Sequence, residues 1–121
     1  MYKTTFAFRD GNDILFRFED YYEARESLLS RGNVYDSELL YAEITYYGRE
    51  ACYTTDLIDW RYKCDGIVIS LEDLVSIRSA DSLRKLDCSV DEVDAVHGRL
   101  RVTVIDDESM SGWYGLERIF E

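Results

Sequence analysis

The chain has 121 residues, 46% of them apolar and 32% charged, with no proline. That is enough to bury a core, too apolar for a disordered acidic tail, and unsuited to polyproline linkers or Pro-rich docking motifs. Twenty-five acids against 14 bases give a formal net charge of −11, a field that repels nucleic acid and anionic membrane and attracts basic proteins.

Taken along the chain, residues 2–9 alternate, with Tyr2, Thr4, Phe6 and Phe8 on one side and Lys3, Thr5, Ala7 and Arg9 on the other. That is the period of a half-buried strand. Asp10-Gly11-Asn12-Asp13 is a turn signal, and alternation resumes through Ile14, Phe16 and Phe18, so an N-terminal hairpin with an aromatic inner face is expected. Asp20-Tyr21-Tyr22-Glu23 has capping-box spacing, Ala24, Leu28 and Leu29 follow at helical spacing, and Gly32 is a natural stop. A helix of about 11 residues fits. Residues 38–47 read as extended, with Leu40, Ala42, Ile44 and Tyr46 opposite Leu39, Tyr41, Glu43, Thr45 and Tyr47, and Gly48-Arg49 turns the chain into a strand at 51–55.

Asp65-Gly66 signals a turn before a short buried strand at Ile67-Val68-Ile69. Ser70-Leu71-Glu72-Asp73 predicts the start of a second helix carrying Leu74, Val75 and Ile77. Asp81 or Ser82 is placed to cap a further turn through Leu83 and Leu86. Residues 87–98 fit either a capped helix, from Ser89-Val90-Asp91-Glu92 to Gly98, or a strand ending in a His97-Gly98 turn. The β-branched valines and the extended pattern at 99–105 favour the hairpin. A polar loop at 106–112 and a last strand at 113–120 complete a single α+β domain, a mostly antiparallel sheet with two or three short helices.

The sequence offers little for catalysis. His97 is the single histidine, and no HExxH, GxGxxG, P-loop, GxSxG or EF-hand pattern occurs. Cys52, Cys64, Cys88 and His97 could formally make a Cys₃His site, but none of them form the close pair that structural zinc sites use. Small apolar packing at Cys52 and Cys88 is expected instead, and neither a metal, a cofactor nor an enzymatic activity is. Three cysteines, no apolar leader at Met1-Tyr2-Lys3-Thr4 and no long apolar run point to a reducing, cytoplasmic setting.

The positive signals are acids and tyrosines. Residues 1–31 carry five bases and six acids, residues 32–121 nine bases and nineteen acids, so nearly all the excess falls in the second stretch. Carboxylates spaced along a strand or a helix face are set about as far apart as successive phosphates, and can occupy a groove built for nucleic acid. Ten tyrosines are present, with Tyr41, Tyr46, Tyr47, Tyr53, Tyr62 and Trp60 inside the acidic stretch. Tyrosine and tryptophan are enriched at interfaces. The expected partner-binding residues are Asp56, Asp59 and Trp60, then Glu72 and Asp73, then Asp106, Asp107 and Glu108.

In general character (small, acidic, Tyr-rich and Pro-free) the chain resembles phage-encoded inhibitors of bacterial defence, including anti-CRISPR and anti-restriction proteins that mimic DNA. It also resembles bacterial toxin-immunity proteins. The resemblance is compositional and transfers no residue. It implies an inhibitory binding protein whose partner is basic, a nucleic-acid-binding enzyme or nuclease complex. A cognate toxin, or further copies of the chain in a small homo-oligomeric assembly, are the alternative partners.

Overall fold

A computed structural model describes residues 1–62, 66–79 and 84–120, except the side chain of Phe120. Among the described residues, two five-stranded antiparallel sheets and one α-helix stack as three layers. The first sheet has the order β2-β1-β3-β4-β5, from β1 (Tyr2–Phe8), β2 (Asp13–Phe18), β3 (Leu39–Tyr47), β4 (Cys52–Asp59) and β5 (Val68–Ser70). The second has the order β10-β6-β7-β8-β9, from β6 (Leu74–Arg78), β7 (Lys85–Asp94), β8 (Arg99–Val104), β9 (Gly112–Gly115) and β10 (Ile119–Phe120). Helix α1 (Tyr21–Tyr35) covers one face of the first sheet, and the second sheet packs against the other face.

The central strands of the middle layer are therefore buried on both sides. Phe6, Ala42, Ile44 and Ile58 turn toward Ala24 and Leu28 of α1, while Leu57 and Ile69 join Ile77, Val90, Leu100 and Val102 of the second sheet. Fully buried side chains such as Phe6, Leu28 and Ile44 each contribute roughly 1.5–3 kcal/mol.

The N-terminal hairpin forms as its alternation predicts. Phe8 accepts from Gly11 N and donates to Asn12 O, with Gly11 at φ +88°, the three-residue loop that turns into a bulge. Helix α1 begins at the expected place, but the Asp20 side chain makes no capping bond. It also runs to Tyr35, beyond the expected stop at Gly32. Gly32 serves packing instead: a Cβ there would lie 3.6 Å from Trp60 and 3.7 Å from Ile58, so α1 lies close against the sheet. The helix ends at Asp36, whose φ is +40°.

The helix expected from Ser70 is not formed. Asp73 Oδ2 does accept from Ser70 N at 2.8 Å, half of the anticipated capping box. Glu72, however, sits at φ +70°, and the chain turns into β6 with Val75 and Ile77 inward. The Asp81/Ser82 cap lies outside the described residues, and Leu86 belongs to β7. The hairpin at 87–105 is formed by β7 and β8. The expected last strand is split into β9, a 3₁₀ turn at Leu116–Arg118 and β10. Buried Leu116 donates to Gly98 O there, which lets the chain pass from one edge of the second sheet to the other.

Candidate partner-binding surface

Of the residues expected to meet a partner, Asp56 and Asp59 are 0% and 1% exposed, which removes them from any contact surface. They point to opposite faces of β4, and each fastens the first sheet to a different layer. On the helix side, Asp56 Oδ1 accepts from Arg25 at 2.6 Å, from Tyr21 Oη at 2.9 Å and from Ser70 Oγ, while Oδ2 accepts from Thr55 at 2.8 Å. Burial, followed by the adjacent carboxylate, raises the Tyr21 phenol above its ordinary range. On the other side, Asp59 accepts from Arg61 Nη2 at 2.6 Å and from its main-chain N at 2.7 Å. Arg61 then donates to the carbonyls of Ala95 and Val96, in the turn between β7 and β8. Both aspartates are structural, and sequence gave no sign of it because each arginine is supplied by tertiary folding or by an unpredictable turn.

Trp60 is likewise engaged within the fold. Its ring meets α1 at Gly32 and its Nε1 donates to Asp36 Oδ1 at 3.2 Å, so the half-buried side chain anchors the helix. Glu72 is exposed at the β5–β6 turn, and Asp73 closes that turn through Ser70. Asp107 caps the 3₁₀ turn Glu108–Met110 through Ser109, leaving Asp106 and Glu108 exposed beside it. By strand register, Glu72 opposes Val90 and Asp106 follows Ile105, which opposes Asp87. That sets the two groups roughly 16 Å apart across the second sheet.

The remaining acids of β7 are matched by their neighbours. Glu92 pairs with Arg101 at 2.7 Å, Asp94 with Arg99 at 2.9 Å, Asp91 accepts from Thr103 and Asp87 from Ser76. Burial opposes ionisation of Asp94, but hydrogen bonds from Arg99 and His97 outweigh it and hold its carboxyl below the usual range. The outer face of the second sheet is thus a mixed-charge ladder.

The start of α1 differs. Glu19, Asp20, Glu23 and Glu26 are all exposed, and none has an ion pair or side-chain hydrogen bond among the described residues. Glu23 and Glu26 are helical neighbours at i, i+3, about 5–6 Å apart. Tyr22 lies beside them, one turn before Glu26, and is 76% exposed. Four of the five bases in residues 1–31 have partners within the fold, although Arg31 also lines a shallow pocket with Glu23 and Glu26, and the fifth, Arg17, is exposed on β2 with no side-chain partner among the described residues. Arg25 reaches in to Asp56, Arg9 donates to the carbonyls of Ser37 and Trp60, Arg31 lies over Phe16 at 3.9 Å and Lys3 over Tyr47 at 4.7 Å. Counting charges by segment therefore missed this surface. The spacing Glu19, Glu23, Glu26 in the sequence was the signal that could have found it.

A cleft of about 480 Å³ opens between the sheets, lined by Cys52, Tyr53, Thr54, Leu71, Asp91, Glu92, Val93 and Arg101. Its acids are those already paired on β7, and Cys52 is exposed there, not packed as expected; Cys88 is buried in the core. Cys64 lies outside the described residues. Among the described residues no group of three or more His, Cys, Asp or Glu is arranged to hold a metal, and no helix is long and apolar enough to cross a membrane. No protein-family model, no curated protein and no solved structure matches the chain.

Proposed function

We propose that the protein is an inhibitory binding protein that blocks a nucleic-acid-binding enzyme, presenting the acidic start of α1 to the enzyme's basic groove. The observation that carries this reading is the segregation of charge around α1. Glu19, Asp20, Glu23 and Glu26 face outward without internal partners, while four of the five nearby bases, Lys3, Arg9, Arg25 and Arg31, are held against rings, carbonyls or Asp56, which leaves Arg17 on β2 with no side-chain partner among the described residues. A row of unmatched carboxylates leading into the first turns of a helix meets lysine and arginine side chains as a phosphate backbone would. Tyr22 supplies a large amphipathic side chain beside the row. Glu72, Asp106 and Glu108, exposed on the far layer, add to the long-range field without sharing this face.

Steered association of this kind is fast at low salt and slows steeply as salt rises. The test is inhibition of basic nucleases and nucleic-acid-binding enzymes, with duplex DNA as competitor and ionic strength as variable. Inhibition relieved by DNA or salt supports the reading. Inhibition indifferent to both places the contact on another surface.

A further inference from the structure

We infer that β2 is a self-association edge, pairing antiparallel with β2 of a second copy about a two-fold axis at Leu15. The four sheet edges are unequal. β5, β9 and β10 have three, four and two residues, whereas β2 has six. Short edges are one of the ways sheets avoid joining, and β2 lacks that protection. Among the described residues nothing pairs with its outer side.

The hydrogen-bond phase is set by the hairpin turn. Phe8 donates to Asn12 O, so alternation along the ladder directs the main-chain groups of Ile14, Phe16 and Phe18 to β1. Those of Asp13, Leu15 and Arg17 point outward, away from the sheet. The side chains of these same three residues share the face turned away from α1, because Ile14 and Phe16 oppose Phe6 and Thr4 on the helix side.

Charge then selects the register. With Leu15 opposite Leu15 of the second copy, Asp13 of each copy opposes Arg17 of the other, and Ile14 opposes Phe16. Asp13 and Arg17 are both exposed and have no ion pair or hydrogen bond from their side chains among the described residues, and Leu15 is 51% exposed. One step along, centred on Phe16, Asp13 would oppose Glu19. One step back, centred on Ile14, Arg17 would oppose Gly11 beyond the strand end. The Leu15 register alone gives two cross-strand ion pairs, an apolar pair between them and outward main-chain groups in phase on both strands. A two-fold axis makes such a contact closed and self-complementary, so association stops at a dimer with a ten-stranded sheet.

Sedimentation of the full chain from micromolar to millimolar concentration tests this, with Arg17→Asp, Asp13→Arg and the double exchange. The parent is expected to be a dimer that dissociates on dilution. Each single reversal converts two attractive contacts into two repulsive ones and should weaken the dimer on the order of tenfold or more. The double exchange restores opposite charges and should recover the parent's dimer, and circular dichroism of each single variant checks that it folds. A parent monomeric at all concentrations overturns the inference. So does a dimer indifferent to the single reversals, or one that the double exchange fails to recover.

Discussion

Replacing Asp56 with alanine should destabilise the protein without touching its outer charge. The carboxylate is 0% exposed and accepts from Tyr21, Arg25, Thr55 and Ser70. Its removal strands three hydroxyls and a guanidinium at the junction of α1, β4 and β5. Breaking a buried ion pair from one side costs about 3–5 kcal/mol. The Arg25 side chain is 35% exposed and can turn to water, which sets the expectation at the low end, about 3 kcal/mol. Asp56→Asn keeps the shape and one acceptor oxygen and loses only the charge assistance, so it should cost about 1–2 kcal/mol. With a urea slope of about 1–3 kcal/mol per molar, Asp56→Ala should lower the unfolding midpoint by on the order of 1–3 M, and Asp56→Asn by less. Equilibrium urea unfolding followed by circular dichroism measures both. A midpoint unchanged in Asp56→Ala, together with lost partner binding, would refute the burial of Asp56 and return it to the contact surface.

Other substitutions probe separate parts of the fold. Gly32→Ala should stabilise by about 0.5–1 kcal/mol, since the new methyl meets Trp60 and Ile58 at ordinary contact distance and the helix loses a flexible residue; a lower melting temperature would contradict the packing described. Glu43→Gln should raise the melting temperature at neutral pH. Burial, and then the charges of Asp94 and Asp13, raise the Glu43 carboxyl above its ordinary 4.5, while Thr54 and Lys3 oppose the shift. A raised carboxyl favours the fold while protonated, and that contribution is lost as pH rises through the folded value, so the variant's advantage should vanish below about pH 4. Asp94 behaves oppositely: its carboxyl is held below 3.8, giving stability above that pH that is lost as pH falls through the folded value. Arg99→Ala should therefore move the Asp94 titration upward toward 3.8 when followed by carboxyl NMR, and an unmoved titration would exclude the Arg99 bond as a cause.

Local pattern was legible where neighbouring residues decide the conformation. The β1–β2 hairpin follows from strict alternation around an Asp-Gly turn, and the β7–β8 hairpin from β-branched residues closing on Gly98. The segment after Ser70 failed because a Ser-x-x-Asp pattern closes a turn as readily as it starts a helix. The positive φ at Glu72 then sends Val75 and Ile77 into a sheet core assembled from distant strands. The extent of α1 was misjudged for a tertiary reason, since Gly32 faces Trp60 and not a chain reversal. The candidate surface was the least legible. Asp56 reads like any surface carboxylate until Arg25, 31 positions away, is folded against it, and that same contact frees the acids around Arg25 to dominate the exterior.

The central claim is most directly tested by capture from one bacterial lysate at low salt, with the parent and a Glu19→Lys, Glu23→Lys, Glu26→Lys variant side by side. The account predicts that the parent retains a basic nucleic-acid-binding enzyme, releases it to duplex DNA, and that the variant does not retain it. Equal retention by both proteins, or no such enzyme on the parent, would contradict the assignment of α1 as the docking face.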